Sequence, residues 1–163
     1  MPILSSLMRR RHAGPNPGGS WTPPAACSVL LLCLACGAAG AASCSASTAG
    51  VAFGAYDPQA AVALDSAGDI GVDCDMATGY SIGLSPGNGS YQTRQMTGTG
   101  SRLVYNFYTD ATRMIVWGDG SQGTQAVAGS GTRAHHTVYG RIPAGQNVQA
   151  GSYADNLVVL LAF

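Results

Sequence analysis

From residue 44 onward, apolar residues recur with a period of two in several short runs. In "GDIGVDC" (68–74), Ile70, Val72 and Cys74 share one parity while Asp69 and Asp73 share the other. "YSIGLS" (80–85) repeats the pattern with Tyr80, Ile82 and Leu84, and "LVYNFY" (103–108) with Leu103, Tyr105 and Phe107. A period of two places alternate side chains on opposite faces of an extended strand, whereas a helix needs a period near 3.6. "RMIVW" (113–117) and "TVYGRI" (137–142) are further β-rich runs, and "GVAFGAY" (50–56) is the expected first strand. "SPGNGS" (85–90) contains Asn-Gly and "WGDGSQG" (117–123) contains Asp-Gly, both frequent hairpin connectors. "GSGT" (129–132) and "PAGQ" (143–146) mark other reversals. Composition agrees, since the chain has no Lys, no Glu and 23 Gly, and so lacks good surface helix formers. Six or seven short strands in about 120 residues predict an all-β domain of the β-sandwich class.

The first 43 residues have a different character. "MRRRH" (8–12) is basic, "AACSVLLLCLAC" (25–36) is apolar, and "GAAGAAS" (37–43) supplies small residues, which is the order of a secretory signal peptide. The expected domains are therefore a removed signal over 1–43, with translation starting at Met8, and a mature domain over 44–163. An uncleaved anchor is the competing reading, because no charge interrupts residues 25–42. Cys27, Cys33 and Cys36 leave with the signal, so Cys44 and Cys74 remain as an even pair bound for an oxidising compartment. "AASC" (41–44) also faintly resembles a lipoprotein box, which would make Cys44 a lipid anchor. The mature domain keeps five Arg against eight Asp, a formal charge of −3, and offers no basic footprint for nucleic acid.

Motifs that suggest chemistry have plainer explanations. "GDGSQG" (118–123) fits G-x-G-x-x-G, but the glycine-broken sequence after it cannot open the helix that would hold a pyrophosphate. "CLAC" (33–36) has redox spacing and lies in the signal's apolar run. His135 and His136 are adjacent, point to opposite faces on a strand, and are expected as a solvated loop pair rather than metal ligands. Asp65, Asp69, Asp73 and Asp75 alternate along a strand and read as an outward polar face, not a calcium loop. No nucleophile elbow or carboxylate pair stands out. The expectation is a protein that is not an enzyme, with no catalytic residues, metal or cofactor.

"FGAYDP" (53–58), "VDC" (72–74), "YQTRQM" (91–96), "LVYNFYTD" (103–110), "VWGDG" (116–120) and "VYGRIPAGQNVQAGSYADNLVVLLAF" (138–163) occur in this order. Together they resemble the spore coat protein U domain, the module of Csu-type archaic chaperone–usher pili. The resemblance covers 44–163, and Cys44 and Cys74 match the family's bridge. It implies an immunoglobulin-like β-sandwich lacking one strand, with a groove completed by another chain. The partners implied are a periplasmic chaperone, an outer-membrane usher and other pilus subunits, which exchange strands by donor-strand complementation. It also explains the C-terminal "NLVVLLAF", which is apolar at both parities. Val51, Phe53, Leu157, Val159, Leu161 and Phe163 are the predicted groove residues. The implied route runs through the inner membrane and periplasm to the cell surface.

One departure qualifies the likeness. Polymerising members carry an alternating apolar donor segment before the first Cys, and cleavage near Ser43 leaves almost nothing there. The chain therefore reads as an acceptor that cannot donate. The alternative is a self-sufficient secreted binding module, for glycans or surface adhesion; Tyr91, Tyr105, Tyr108 and Trp117 could supply the exposed aromatic patch it needs, although at strand positions such residues more often belong to the core.

Overall fold

The structure is a computed structural model that describes residues 40–98 and 100–163, together with the backbone of Leu4–Ser5. The basic and apolar runs of the expected signal, and with them Cys27, Cys33 and Cys36, lie outside the described residues. Seven strands follow in order: β1 (Leu4–Ser5), β2 (Cys44–Thr48), β3 (Leu64–Leu84), β4 (Arg94–Thr97), β5 (Arg102–Tyr108), β6 (Val127–Ile142) and β7 (Leu157–Ala162). No helix occurs among the described residues.

Two long strands organise the domain. β3 and β6 pair antiparallel from Leu64 opposite Ile142 to Asp73 opposite Arg133, and again from Thr78 opposite Gly131 to Ile82 opposite Val127. Between these stretches the register shifts, leaving residues 74–77 of β3 against Thr132 alone. Such a bulge bends and twists a ribbon, which allows one strand to serve both layers of a sandwich. On one side of the bend the outer edge of β3 takes β2, with Cys44 opposite Cys74; beyond it the same edge takes β7, through residues 81–84. β5 continues the sheet on β6, and β4 pairs with β5.

The period-two reading holds where it was strongest. Ile70, Val72, Cys74, Tyr80, Ile82, Leu84, Leu103, Tyr105 and Phe107 are all buried in one core. Elsewhere tertiary structure overrides it. Residues 50–56 form no strand, and the first strand of the domain is β2 instead. Gly50 and Gly54 both adopt φ of 78°, which breaks the extended backbone, while Val51 and Phe53 still turn inward and mimic a strand's alternation. "RMIVW" is likewise a loop: Arg113 has φ 58°, and Met114 is exposed to water. "GSGT" is no reversal, because it lies inside β6, with Gly131 at the bulge. "SPGNGS" does not join a hairpin either, since β3 and β4 are not neighbours in the sheet.

The polar positions find local partners. Asp65 accepts two hydrogen bonds from Arg141 and lies 3.3 Å from Arg113, and Asp73 pairs with Arg133. Both are direct cross-strand pairs of β3 with β6. His135 meets Asp69 at 2.7 Å on the outer face, while His136 meets the Tyr80 hydroxyl at 3.0 Å on the other. The two histidines thus sit on a strand, not in a loop. Burial holds His136 below the ordinary histidine value of 6.5, Asp69 opposing that shift and His135 adding to it. A histidine kept neutral by folding lets the unfolded chain take its proton first. Stability should therefore be unaffected by His136 above pH 6.5 and decline as pH falls below it. Melting temperatures between pH 5 and 7 should show that slope, and His136→Gln should flatten it; an unchanged slope would exclude His136 as its source.

Candidate functional site

β7 carries the question posed by the chain's apolar end. Its burial alternates: Leu157, Val159 and Leu161 are buried, Val158 and Leu160 are half-buried, and Ala162 is exposed. One edge of β7 is bonded to β3, and Ser85 extends that contact through its backbone and hydroxyl to Val158. On the opposite edge, β1 lies parallel, with Leu4 opposite Leu157 and Ser5 opposite Val158. Among the described residues no strand flanks that outer edge along residues 159–162.

The predicted groove residues come together as one cluster. Val51, Leu157, Val159 and Leu161 belong to the buried core, and Phe53 and Phe163 pack against it half-buried. Phe53 stacks with Phe107 at 6.2 Å and meets Tyr105 edge-on at 6.0 Å. Its ring lies over Gly140, where a Cβ would come within 2.6 Å of it, so the close approach requires glycine. Phe53 and Tyr56 also border an open cavity of about 650 Å³ with Met96, Leu103 and Ile142 behind and residues 148–153 opposite.

Cys44 and Cys74 are bonded, with sulfurs 2.02 Å apart, which removes Cys44 as a free thiol for lipid attachment. The bridge joins β2 to β3 at the start of the bulge, so it fixes the corner where the two layers separate. Of the proposed aromatic patch, Tyr91, Tyr105 and Trp117 are buried and Tyr108 is half-buried. Tyr105 and Trp117 belong to the core, so the four do not form a presented surface. Among the described residues no group of three His, Cys, Asp or Glu side chains is placed to hold a metal ion.

The polar centre behind β7 is what reading the sequence missed. Arg94 is fully buried and donates to Asn106 Oδ1 at 2.6 Å, to the Trp117 carbonyl at 2.7 Å and twice to the Ser85 carbonyl. Burial pulls its pKa below the usual guanidinium value. Asp155, just before β7 and 1% exposed, accepts from the Tyr105 hydroxyl, the Asn156 N–H and both the backbone and side-chain N–H groups of Asn88. Burial first, and then the Asp155 hydrogen bond, push the Tyr105 phenol far up. Gln146 adds a substitute strand, its amide accepting from the Val104 N–H at 2.7 Å and donating to the Val104 carbonyl at 2.8 Å. One sequence signal could have found Arg94: it shares the parity of Met96, which is buried.

Comparison with known proteins follows the same outline. The profile of the Spore Coat Protein U domain matches residues 30–160. Protein U of Myxococcus xanthus is 35% identical over 125 residues, covering 68% of this chain and 70% of that protein. Among solved structures, the chaperone–tip adhesion subunit pre-assembly complex of the archaic chaperone–usher Csu pili of Acinetobacter baumannii contains a similar chain. The TM-score is 0.56 at 20% identity, over 76% of this chain and 40% of that one. That likeness extends to the immunoglobulin-like, all-β architecture. With the family profile matched over residues 30–160 and Protein U 35% identical over 125 residues, the chain belongs to the spore coat protein U domain family.

Proposed function

We propose that this protein is an exported structural subunit of a surface coat or pilus whose last strand, β7, accepts a strand from another chain. The observation that carries the reading is the outer edge of β7. An extended segment, Leu4–Ser5, already lies on it in parallel, and β7 carries apolar residues at both parities. A flat apolar edge left open invites aggregation, so a cell exporting such a domain has reason to cover it with a chaperone. The family and the pilus-subunit neighbour support the same direction.

In this reading residues 1–43 are removed as a signal peptide, and the mature domain begins near Cys44. A periplasmic chaperone and then an usher hand the subunit on, and another subunit's donor strand replaces the chaperone's. Val51, Phe53, Leu157, Val159, Leu161 and Phe163 are the side chains the incoming strand would pack against. The mature chain accepts and does not donate, which suits a terminal or coat position. No catalytic step is assigned.

Size-exclusion chromatography with mass analysis of chain 44–163 tests this, alone and with a synthetic peptide of alternating apolar residues. The expected result is aggregation or a low melting temperature alone and a stable 1:1 complex with the peptide. A stable monomer indifferent to the peptide would mean the sheet is already complete, and the protein would then be a self-sufficient secreted module.

A further inference from the structure

The Asn-Gly pair of "SPGNGS" does not form a hairpin turn, and its structural role points to a chemical one. Asn88 sits on an exposed loop, yet its side-chain Nδ2 donates to Asp155 Oδ1 at 2.9 Å and its backbone N–H reaches both Asp155 oxygens at 3.1 and 3.2 Å. The loop is moulded around that carboxylate. At Gly87 a Cβ would come within 2.4 Å of Asp155 Oδ2, and Gly89 adopts φ 118°. The Asn88 carbonyl accepts from the Gln95 N–H at 2.6 Å. Asp155 lies two residues before the start of β7, so this contact fastens the loop after β3 to the root of the last strand.

We infer that Asn88 is a latent deamidation site held shut by Asp155, and that its conversion releases the root of β7. Asn followed by Gly is the dipeptide in which the next backbone nitrogen most easily reaches the side-chain carbonyl carbon, because glycine has no side chain to obstruct it. In that reaction the Gly89 nitrogen loses its proton and bonds to Asn88 Cγ. The Cγ–Nδ2 bond breaks and Nδ2 leaves with the proton as ammonia, giving a five-membered succinimide. Water then opens the ring at either carbonyl, leaving aspartate or isoaspartate at position 88. Asp155 opposes the first step in two ways. It ties the side-chain amide and the backbone N–H of Asn88 to one carboxylate, which restricts the side-chain rotation that attack requires. It also offers Nδ2 an acceptor with no proton to give, when departure as ammonia requires one.

Once conversion occurs the same contact works in reverse. A carboxylate replaces the Nδ2 donor beside Asp155, and two like charges then share a site that is buried on the Asp155 side. Isoaspartate also lengthens the main chain by one bond and displaces the carbonyl that Gln95 uses. The event is irreversible, so it would act as an ageing mark on a long-lived extracellular protein. Neighbouring asparagines serve as internal controls, because Asn106, Asn147 and Asn156 precede Phe107, Val148 and Leu157 rather than glycine.

The exported protein would be incubated at mildly alkaline pH, folded and in denaturant with its disulfide intact. Peptide mass spectrometry would follow the gain of one mass unit and isoaspartate at position 88. Reaction at Asn88 should dominate in denaturant and run about tenfold or more slower in the folded protein, as expected for chemistry that must await local opening. Asn88→Asp, which installs the product charge directly, should lower the melting temperature by about 5 °C. Asp155→Asn should raise the folded rate toward the denatured one. Equal rates at Asn88 in folded and denatured protein, or none in either, would overturn the guarded site. An Asn88→Asp protein with an unchanged melting temperature would overturn the release of β7.

Discussion

Arg94→Met should lower the stability of the domain by about 3–5 kcal/mol, because the Ser85 and Trp117 carbonyls lose their Arg94 donors and each buried acceptor so stranded costs about 1–3 kcal/mol. Methionine fills a similar volume, so lost packing is a minor part of the effect. What remains are Asn106 Oδ1 and the carbonyls of Ser85 and Trp117, all of which lose an Arg94 donor in or near the core. A buried acceptor without a donor costs about 1–3 kcal/mol, whereas a satisfied one contributes modestly. Arg94→Lys separates the charge from the geometry. A lysine ammonium retains the charge but cannot reproduce the fork that joins the end of β3, the middle of β5 and the loop at Trp117. It should recover only part of the loss. Denaturant midpoints with unchanged slope would measure both variants, and a cost below 1 kcal/mol for Arg94→Met would show that the network contributes little. Since natural domains have roughly 5–15 kcal/mol in total, the methionine variant should also be recovered in poor yield.

Cys74→Ser is expected to cost roughly 3–4 kcal/mol, from the chain entropy regained when a loop of about 30 residues is opened in the unfolded state. The bridge spans 30 positions and closes β2 onto β3 where the register shifts, so the same substitution removes the covalent tie at the bend. Cys44→Ser should behave alike, and the double variant should be no worse than either single one, because one bond is lost in every case. Exported yield and melting temperature would be compared across the three. Unchanged values would mean that the backbone ladder of β2 holds the corner without the bond.

Strand position was legible where side chains alone set it. In β3, apolar residues at one parity and mostly polar or small ones at the other leave a single way to hide the first set from water, and Ile70, Val72 and Ile82 are buried as that rule requires. The C-terminal strand was legible instead from its run of apolar residues, and the Cys44–Cys74 bridge only as what the family resemblance implied. Residues 50–56 and 113–117 read as strands because alternation is a property of side chains, while strand identity belongs to backbone hydrogen bonds. Glycines at positive φ take the backbone of the first stretch out of any ladder, and Arg113 at φ 58° limits the second to isolated bridges at Val116 and Trp117.

Residue order by itself therefore determined the all-β class, the inward parity of the major strands, the even count of cysteines after residue 43 and the apolar final strand. These follow from local alternation and from counting, which need no knowledge of distant neighbours. Only the tertiary structure decided that β3 and β6 would bend past a bulge to serve two layers, that Arg94 would face inward, and that Asp155 would gather Asn88 and Tyr105 beneath β7. A charged side chain enters a core only where several partners from distant segments converge on it, because its desolvation must be offset by hydrogen bonds. Such convergence is created by folding, so no short stretch of the chain announces it.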